Sequence, residues 1–225
     1  MSTGRAAGGI RMRTGVRGIA VAAAMVAALT GCGGDGDATE AVTGTGGGEE
    51  KYQPAALDAT GLINALPLSS DFSSGTYSGG DAELVPEAEA AEFCSKKMED
   101  VDCAGVKGAG IKDLALVGSS SEKTATFTLY GFGTEAQATA VLKAVEKVRK
   151  TSQGEAGPFT PVKVETGADE TFAFERDEYV GVYMRVGTVV SYVSTYRFGP
   201  EQAQSAAQVQ LGRLQVVAAG GDPDA

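Results

Sequence analysis

The sequence predicts an α+β domain in which helices flank an antiparallel sheet. Strand-like segments come in adjacent runs between helices, which favours antiparallel pairing over alternating βαβ units. The segment 124–130 alternates apolar residues with threonines, the two-residue period of a strand. The segment 134–150 has an apolar stripe at helical spacing, formed by Ala138, Val141, Leu142, Val145 and Val148.

The first half of the domain begins with a predicted helical turn at 57–66 and a Ser- and Gly-rich loop at 71–81. A helix is predicted from Pro86 to about Asp100, because proline suits the first turn and several glutamates lie near its positive end. Strands follow at 114–117 and 124–130. The second strand has hydroxyls on one face, from Thr124, Thr126 and Thr128, which predicts a sheet covered on one side.

The second half begins with the helix at 134–150, where Thr134 with Gln137 forms a capping-box signature. A turn-rich loop follows at 154–161. Further strands are predicted at 162–164, 171–175, 181–186 and 189–195. Gly187-Thr188 predicts a tight hairpin, because glycine readily adopts positive φ. Pro200 begins the last helix and Gly220 ends it.

The N-terminus has the layout of a secretory signal. Four arginines and no acidic residue occur in the first 17 positions, and an uncharged, mostly apolar run follows at 18–29. That run is too short to span a hydrocarbon core of about 30 Å as a helix. Leu29-Thr30-Gly31-Cys32 comes next and resembles the lipobox of bacterial lipoproteins. The resemblance implies cleavage before Cys32 and lipidation of its thiol, and two or more acyl chains anchor a protein stably.

These features divide the chain into four parts. Residues 1–31 form the predicted lipoprotein signal peptide, and 32–57 a lipid-anchored tether rich in glycine and acidic residues, with too few apolar groups to order itself. Residues 58–218 form one domain, long enough to bury a proper core. Residues 219–225 are predicted to be a disordered tail.

The remaining two cysteines, Cys94 and Cys103, are predicted to form a disulfide, because an exported chain meets oxidising conditions. Nine residues along a continuous helix would separate the Cα atoms by about 13 Å, whereas a disulfide requires roughly 4.4–6.8 Å. The helix that begins near Pro86 must therefore end before Cys103. The alternative, a two-cysteine metal site, lacks histidine and CxxC spacing.

Charge and composition exclude several function classes. The chain has 19 Lys and Arg against 29 Asp and Glu, and removal of the signal leaves a net charge of about −14. Nucleic acid is a poor partner for such a surface. The chain contains no histidine, which removes Ser-His and Cys-His nucleophile pairs and histidine acid–base chemistry. No phosphate-binding loop, cofactor motif or metal-binding pattern is present, so no cofactor and no metal are expected.

Two sets of residues remain as candidates for a site. Carboxylates flank one predicted strand: Asp169, Glu170, Glu175, Asp177 and Glu178. Solvated strand ends are the favoured interpretation, and an acid–base pair is the alternative. Aromatic residues concentrate in the same region, and they either pack the core or line an apolar pocket: Phe172, Phe174, Tyr179, Tyr183, Tyr192, Tyr196 and Phe198.

One region resembles a known family. The segments 167–174 (GADETFAF) and 183–190 (YMRVGTVV), followed by an Ala-rich helix, resemble the extracellular sensor-like domains of actinobacterial lipoproteins and of membrane serine/threonine kinases. Those domains pair a Gly-Asp-Glu-Thr strand with an Arg-Val-Gly-Asn hairpin; here Ala168 is inserted and Thr188 replaces the asparagine. The resemblance covers about 50 residues and implies an antiparallel sheet flanked by helices, with a groove for a cell-envelope ligand.

The sequence thus predicts a cell-membrane lipoprotein, anchored through Cys32 on the extracytoplasmic face, that is a non-enzymatic binding or sensing module. Its expected ligand is an envelope lipid, a glycan or a protein. Two other functions remain open: a carboxylate hydrolase using Asp169, Glu170 or Glu175, and a structural protein that docks a partner. The sequence names no catalytic residue and no ligand-binding residue.

Overall fold

The structure is a computed structural model that describes residues 56–72, 77–99, 101–117, 122–151, 153–154 and 157–225. The predicted signal peptide, Cys32 and nearly all of the tether lie outside these residues. Among the described residues, no helix is both long enough and apolar enough to cross a membrane.

The described residues form four α-helices, α1 (Ala59–Asn64), α2 (Glu87–Lys97), α3 (Glu135–Thr151) and α4 (Pro200–Ala218), with a 3₁₀ turn at Ser69–Asp71. The strands of the first half are β1 (Tyr77–Gly79), β2 (Glu83–Val85), β3 (Val106–Leu116) and β4 (Thr124–Phe132). Those of the second half are β5 (Gln153–Gly154), β6 (Gly157–Pro158), β7 (Thr160–Pro161), β8 (Glu170–Arg176), β9 (Tyr179–Val186) and β10 (Val189–Tyr196).

Eight strands form one antiparallel sheet in the order β1-β3-β4-β10-β9-β8-β7, with β2 also paired to β3. The short strands β5 and β6 form a separate hairpin. The β8–β9–β10 meander joins the β3–β4 hairpin through the long β4–β10 pair. The predicted fold class, α+β with an antiparallel sheet flanked by helices, is confirmed.

Helices pack on both faces of the sheet. Helices α1 and α4 contact one face, which we call the α1/α4 face, and its core includes Leu62, Phe127, Met184 and Leu211. Helices α2 and α3 contact the other, the α2/α3 face. The prediction of a sheet covered on one side is wrong, since Thr128 on the α2/α3 face is only 2% exposed. Thr124 and Thr126 on the same face remain partly exposed, so the helices cover this face only in part.

Strand β3 is longer than predicted. Its first half was missed because it is rich in glycine, which has a low β propensity. The glycines serve the packing of α1 instead. A Cβ atom on Gly110 would lie 3.2 Å from Leu66 Cδ1, and one on Gly131 would lie 3.3 Å from Leu62 Cδ1. Because Gly110 of β3 and Gly131 of β4 have no side chain, the short helix α1 lies close to the sheet.

Helix α2 ends at Lys97, short of Cys103, as the disulfide geometry requires. The structure contains the Cys94–Cys103 bond, with sulfur atoms 2.02 Å apart and Cα atoms 6.0 Å apart. Both cysteines are buried. The bond fixes the end of α2 and the following turn to the start of β3.

Residues 219–225, predicted to be a disordered tail, are bonded to α4 through the backbone N–H groups of Gly220 and Gly221 and through Asp224. The buried Arg213 donates to Asp224 at 2.8 Å and to Asp71 at 3.1 Å. Arg213 also donates to the backbone oxygen of Asn64 at 2.8 Å. One guanidinium thus joins α4, the end of α1, the 3₁₀ turn and the C-terminus.

Candidate functional site

Cross-strand register gathers hydroxyl-bearing side chains on the α2/α3 face. Tyr192 pairs with Tyr183 on one side and Thr128 on the other. Two residues further along β10, Ser194 lies between Gly181 and Thr126, and then Tyr196 between Tyr179 and Thr124. We call the accessible part of this array the hydroxyl face, and its members are Thr124, Thr126, Tyr179, Tyr192, Ser194 and Tyr196.

The hydroxyl face opens from a covered end to an exposed end. At the covered end Tyr183 is completely buried and Tyr192 is partly buried. Thr126 and Ser194, one row further, are partly exposed, and Tyr179 in the last row is 49% exposed. Four residues of strand separate Tyr192 from Tyr196, or about 13 Å. The face is therefore an elongated strip that runs out from beneath the helices.

Stacked aromatic rings form the covered end. The Tyr183 and Tyr192 rings stack with centroids 4.2 Å apart, and Phe172 stacks on Tyr183 at 6.4 Å. The Phe174 ring lies over Gly181, where a Cβ atom would come within 2.4 Å of it. Phe172, Phe174 and Tyr183 are thus core residues, as the packing interpretation of this aromatic cluster predicted.

A buried ion pair closes the covered end. Arg149, near the end of α3, donates from Nη1 to the carboxylate of Glu99, which follows α2. The Arg149 side chain is 8% exposed and that of Glu99 is 32% exposed. The guanidinium also packs over the rings of Phe159 at 4.7 Å and Phe174 at 5.1 Å, a favourable cation–π arrangement. The pair links the C-terminal ends of α2 and α3 above the sheet.

The Tyr183 and Tyr192 hydroxyls lie in the electrostatic environment of this ion pair, and Tyr130 lies beside these two tyrosines. Burial raises the pKa of Tyr183, and the neighbouring Tyr192 raises it further. Burial likewise raises the pKa of Tyr192, whose hydroxyl is hydrogen-bonded with Ser194. Burial and the two other tyrosines raise the pKa of Tyr130. All three phenols therefore stay protonated at neutral pH and are able to donate hydrogen bonds.

Among the described residues, the buried Tyr130 hydroxyl and the buried Arg149 Nε have no hydrogen-bond partner. Most buried polar atoms in folded proteins are hydrogen-bonded, to protein or to water. These two donors lie in the core beneath α2 and α3, where a buried water is the usual partner of an unmatched polar atom.

The exposed end combines aromatic rings with paired charges. The rings of Tyr179 and Tyr196 contact each other with centroids 4.8 Å apart. The Tyr196 hydroxyl donates to Glu178 at 2.8 Å, and Arg197 donates to the same carboxylate at 3.1 Å. These hydrogen bonds lower the pKa of Glu178. On the neighbouring strand, the Thr126 hydroxyl donates to Asp113.

The carboxylates predicted as possible acids lie elsewhere. Arg185, whose side chain is 8% exposed, donates from Nε to Glu170 at 2.8 Å and from Nη1 to Asp169 at 3.2 Å. Nη1 also contacts Glu135 at the start of α3, at 2.9 Å. Asp169 further accepts the backbone N–H of Gly187 at 2.9 Å, and Gly187 has a φ of +54°. These carboxylates hold the β9–β10 hairpin and α3 against β8.

The remaining candidates, which are three carboxylates and Phe198, are exposed or partly exposed. Asp177 and Glu178 form the β8–β9 turn and are exposed, as expected for solvated strand ends. Glu175 is partly exposed at the end of β8. Phe198 does not join the other aromatic residues, because it follows Arg197, which has a φ of +60°, and packs 6.1 Å from Tyr77.

A concave region lies beside α4. A cavity of about 450 Å³ is lined by Asp71, Phe72, Tyr77, Gln202, Ser205, Ala206 and Val209. Arg213 holds one of its walls through Asp71. This cavity is an alternative ligand site, and a binding experiment has to distinguish it from the hydroxyl face.

The structure resembles one solved extracellular domain in its fold. It superposes on the extracellular domain of PknH from Mycobacterium tuberculosis with a TM-score of 0.52 and 14% identity, covering 73% of this chain and 98% of that one. A putative uncharacterized protein from Mycobacterium smegmatis gives a TM-score of 0.41 at 9% identity, over 68% of this chain and 96% of that one. No protein-family model and no curated protein matches the chain.

The likeness to the PknH domain shows the fold and confirms the resemblance predicted from the sequence. The two segments that carry the resemblance are those joined by Arg185, Asp169, Glu170 and Gly187. Their motif is therefore explained by the hairpin that these residues hold in place. A shared fold does not by itself identify a ligand.

Proposed function

We propose that this chain is a lipid-anchored, extracytoplasmic binding module whose ligand lies on the hydroxyl face. The observation that carries the proposal is the strip itself: an elongated half-open sheet surface with stacked tyrosine rings at its covered end and the half-exposed Tyr179 ring at the other. Ligand sites combine apolar and aromatic walls with a few convergent polar groups. The lipobox-like Leu29–Cys32 sequence supports attachment to a membrane.

The proposed function is non-enzymatic. Of the three carboxylates predicted for a hydrolase, Asp169 and Glu170 are engaged with Arg185, and Glu175 is partly exposed at the end of β8. A general acid or base must instead be within hydrogen-bond reach of the substrate. Turnover of an envelope substrate that is lost in Asp169→Asn or Glu170→Gln would favour the hydrolase over the binding module.

The site is tested by blocking it. Ser194→Arg would fill the hydroxyl face, and Ser205→Arg is a matched change in the cavity beside α4. Full-length wild type and both variants are recovered from their own envelope and analysed by native mass spectrometry. We expect a retained ligand on the wild type and on Ser205→Arg, and none on Ser194→Arg. Loss of the ligand from Ser205→Arg alone would move the site to the other cavity and refute the proposal.

Anchoring is tested separately by intact mass and membrane fractionation. Cys32→Ala should abolish the lipid mass and release the chain from membranes, whereas Cys103→Ala should remain lipidated and membrane-bound. A Cys32→Ala chain that still fractionates with membranes would contradict the anchor.

A further inference from the structure

The chemistry of the hydroxyl face selects one class of ligand. Its side chains are neutral hydroxyl donors and acceptors on two strands, next to the flat rings of Tyr179, Tyr192 and Tyr196. The ionised groups that border it occur largely as pairs: Glu99 with Arg149 at the covered end, and Glu178 with Arg197 at the exposed end. The strip therefore offers hydrogen bonds and aromatic surface without a marked excess of either charge.

Two other properties of the protein exclude some classes of ligand. The mature chain has a net charge of about −14, which repels polyanions at a distance. An acyl chain would need a continuous apolar channel, whereas here hydroxyls interrupt the aromatic surface in every row. A ligand that suits the strip is thus neutral, elongated and rich in hydroxyl groups.

We propose that the hydroxyl face binds a neutral oligosaccharide, with a sugar ring packed on Tyr179, whose ring is held by contact with Tyr196, and sugar hydroxyls bonded to the Thr126, Ser194 and Asp113 side chains. The inference rests on the proposed function and specifies its ligand class. Sugar rings present C–H groups on their faces and hydroxyls on their edges. The former pack on aromatic rings, and the latter exchange hydrogen bonds with serine, threonine and carboxylate oxygens.

The dimensions of the strip agree with a chain ligand. The distance of about 13 Å from Tyr192 to Tyr196 accommodates more than one sugar ring. The Tyr179–Tyr196 pair lies at the exposed end, where a longer glycan has room to continue beyond the protein.

The test uses the full chain on an array of neutral oligosaccharides, together with sulfated glycans and vesicles of phosphatidylglycerol. We expect binding to neutral glycans. Tyr179→Ala and Tyr196→Ala should each weaken it at least tenfold, while Tyr179→Phe, which keeps the ring, should retain it. Val216→Ala, an exposed apolar change on α4, is the control. Far-UV circular dichroism verifies that each variant is folded.

Three outcomes would overturn the glycan proposal: no neutral glycan binds, sulfated glycans or lipid vesicles are preferred, or the tyrosine-to-alanine variants bind as the wild type does. None of these refutes the proposed function, whose ligand site is refuted instead if the ligand retained from the envelope is unaffected by Ser194→Arg. The two failures are therefore distinguishable.

Discussion

Tyr130 is the residue whose position is least explained by stability alone. It is fully buried beneath Phe93 of α2, and its hydroxyl has no hydrogen-bond partner among the described residues. An unpaired buried hydroxyl costs about 1–3 kcal/mol. We expect Tyr130→Phe to raise the free energy of unfolding by about 1–2 kcal/mol, measured by urea denaturation of the full chain.

The control for Tyr130→Phe is Tyr196→Phe, which removes a hydroxyl bonded to Glu178 and should not raise stability. If Tyr130→Phe instead destabilised the ligand-free chain, the hydroxyl would have a structural partner and would not be available to a ligand.

The buried tyrosines also predict how stability depends on pH. Burial raises the pKa values of Tyr130, Tyr183 and Tyr192 above the value of about 10 expected in the unfolded chain. Below pH 10 both states keep these protons, so the contribution is intact. Above pH 10 the unfolded chain loses them first, which favours unfolding.

We therefore expect the free energy of unfolding to fall as the pH rises above about 10, with late ionisation of these phenols coupled to unfolding. Absorbance at 295 nm follows phenol ionisation, and circular dichroism follows the fold. Complete ionisation of all tyrosines near pH 10, with the fold intact, would contradict the burial of this cluster.

Substitution of Arg185 tests the structural role of Asp169 and Glu170. Arg185→Met removes a buried cation that three carboxylates share, and we expect a loss of about 2–4 kcal/mol by urea denaturation. The matched control Arg197→Met, at an exposed ion pair, should have little effect. A stable Arg185→Met chain that has lost its ligand would show that this cluster belongs to the binding site.

At the scale of elements, the disulfide loop positions one end of the hydroxyl face. Cys94 and Cys103 enclose Glu99, which has a φ of +56° and pairs with Arg149 fifty residues further along the chain. A non-glycine residue in this left-handed region requires support from its surroundings. The bond and the ion pair together fix the end of α2 against α3.

Reduction of the disulfide should lower the free energy of unfolding by roughly 2–4 kcal/mol, because the unfolded chain regains the freedom of the closed loop. The melting temperature should fall by roughly 5–15 °C without loss of the fold. Calorimetry with and without reductant measures the change, and thiol counting on the denatured, unreduced chain tests the bond. Two reactive thiols per mature chain would disprove it.

Elements with strong local patterns were predictable from the sequence. The apolar stripe of α3 and the alternation in β4 locate these elements to within a few residues. Strand β1 lies in a segment that was predicted as loop, and β2 lies in a segment for which no element was predicted. Each has only three residues and little burial, and so gives no clear strand pattern. The first half of β3 was missed, because its glycines are selected by contact with α1, which no local pattern reveals.

The candidate site was predictable in its parts and not in its assembly. The tyrosines of β9 and β10 and the threonines of β4 were each recognised, but their adjacency depends on the β4–β10 register, which joins segments about sixty residues apart. Ser194, Arg149 and Glu99 carry no local signal of their role. Their importance follows from the packing of α2 and α3 on the sheet.

At the scale of the whole molecule, the distribution of charge agrees with a neutral ligand on the hydroxyl face. An acidic body keeps the domain soluble and away from anionic surfaces, while a neutral strip on one sheet face remains open to a ligand. Tethering at Cys32 would hold this strip near the envelope, where such ligands occur. The central claim is that the hydroxyl face is occupied in that setting.

Tyrosine nitration tests this claim most directly, with mass spectrometry of peptides from the full chain before and after addition of an extract of its own envelope. We predict that the extract protects Tyr179, Tyr192 and Tyr196, while Tyr77, which lines the cavity beside α4, reacts equally in both conditions. Unchanged reactivity at all four residues, or protection of Tyr77 alone, would contradict the assignment of the ligand site to the hydroxyl face.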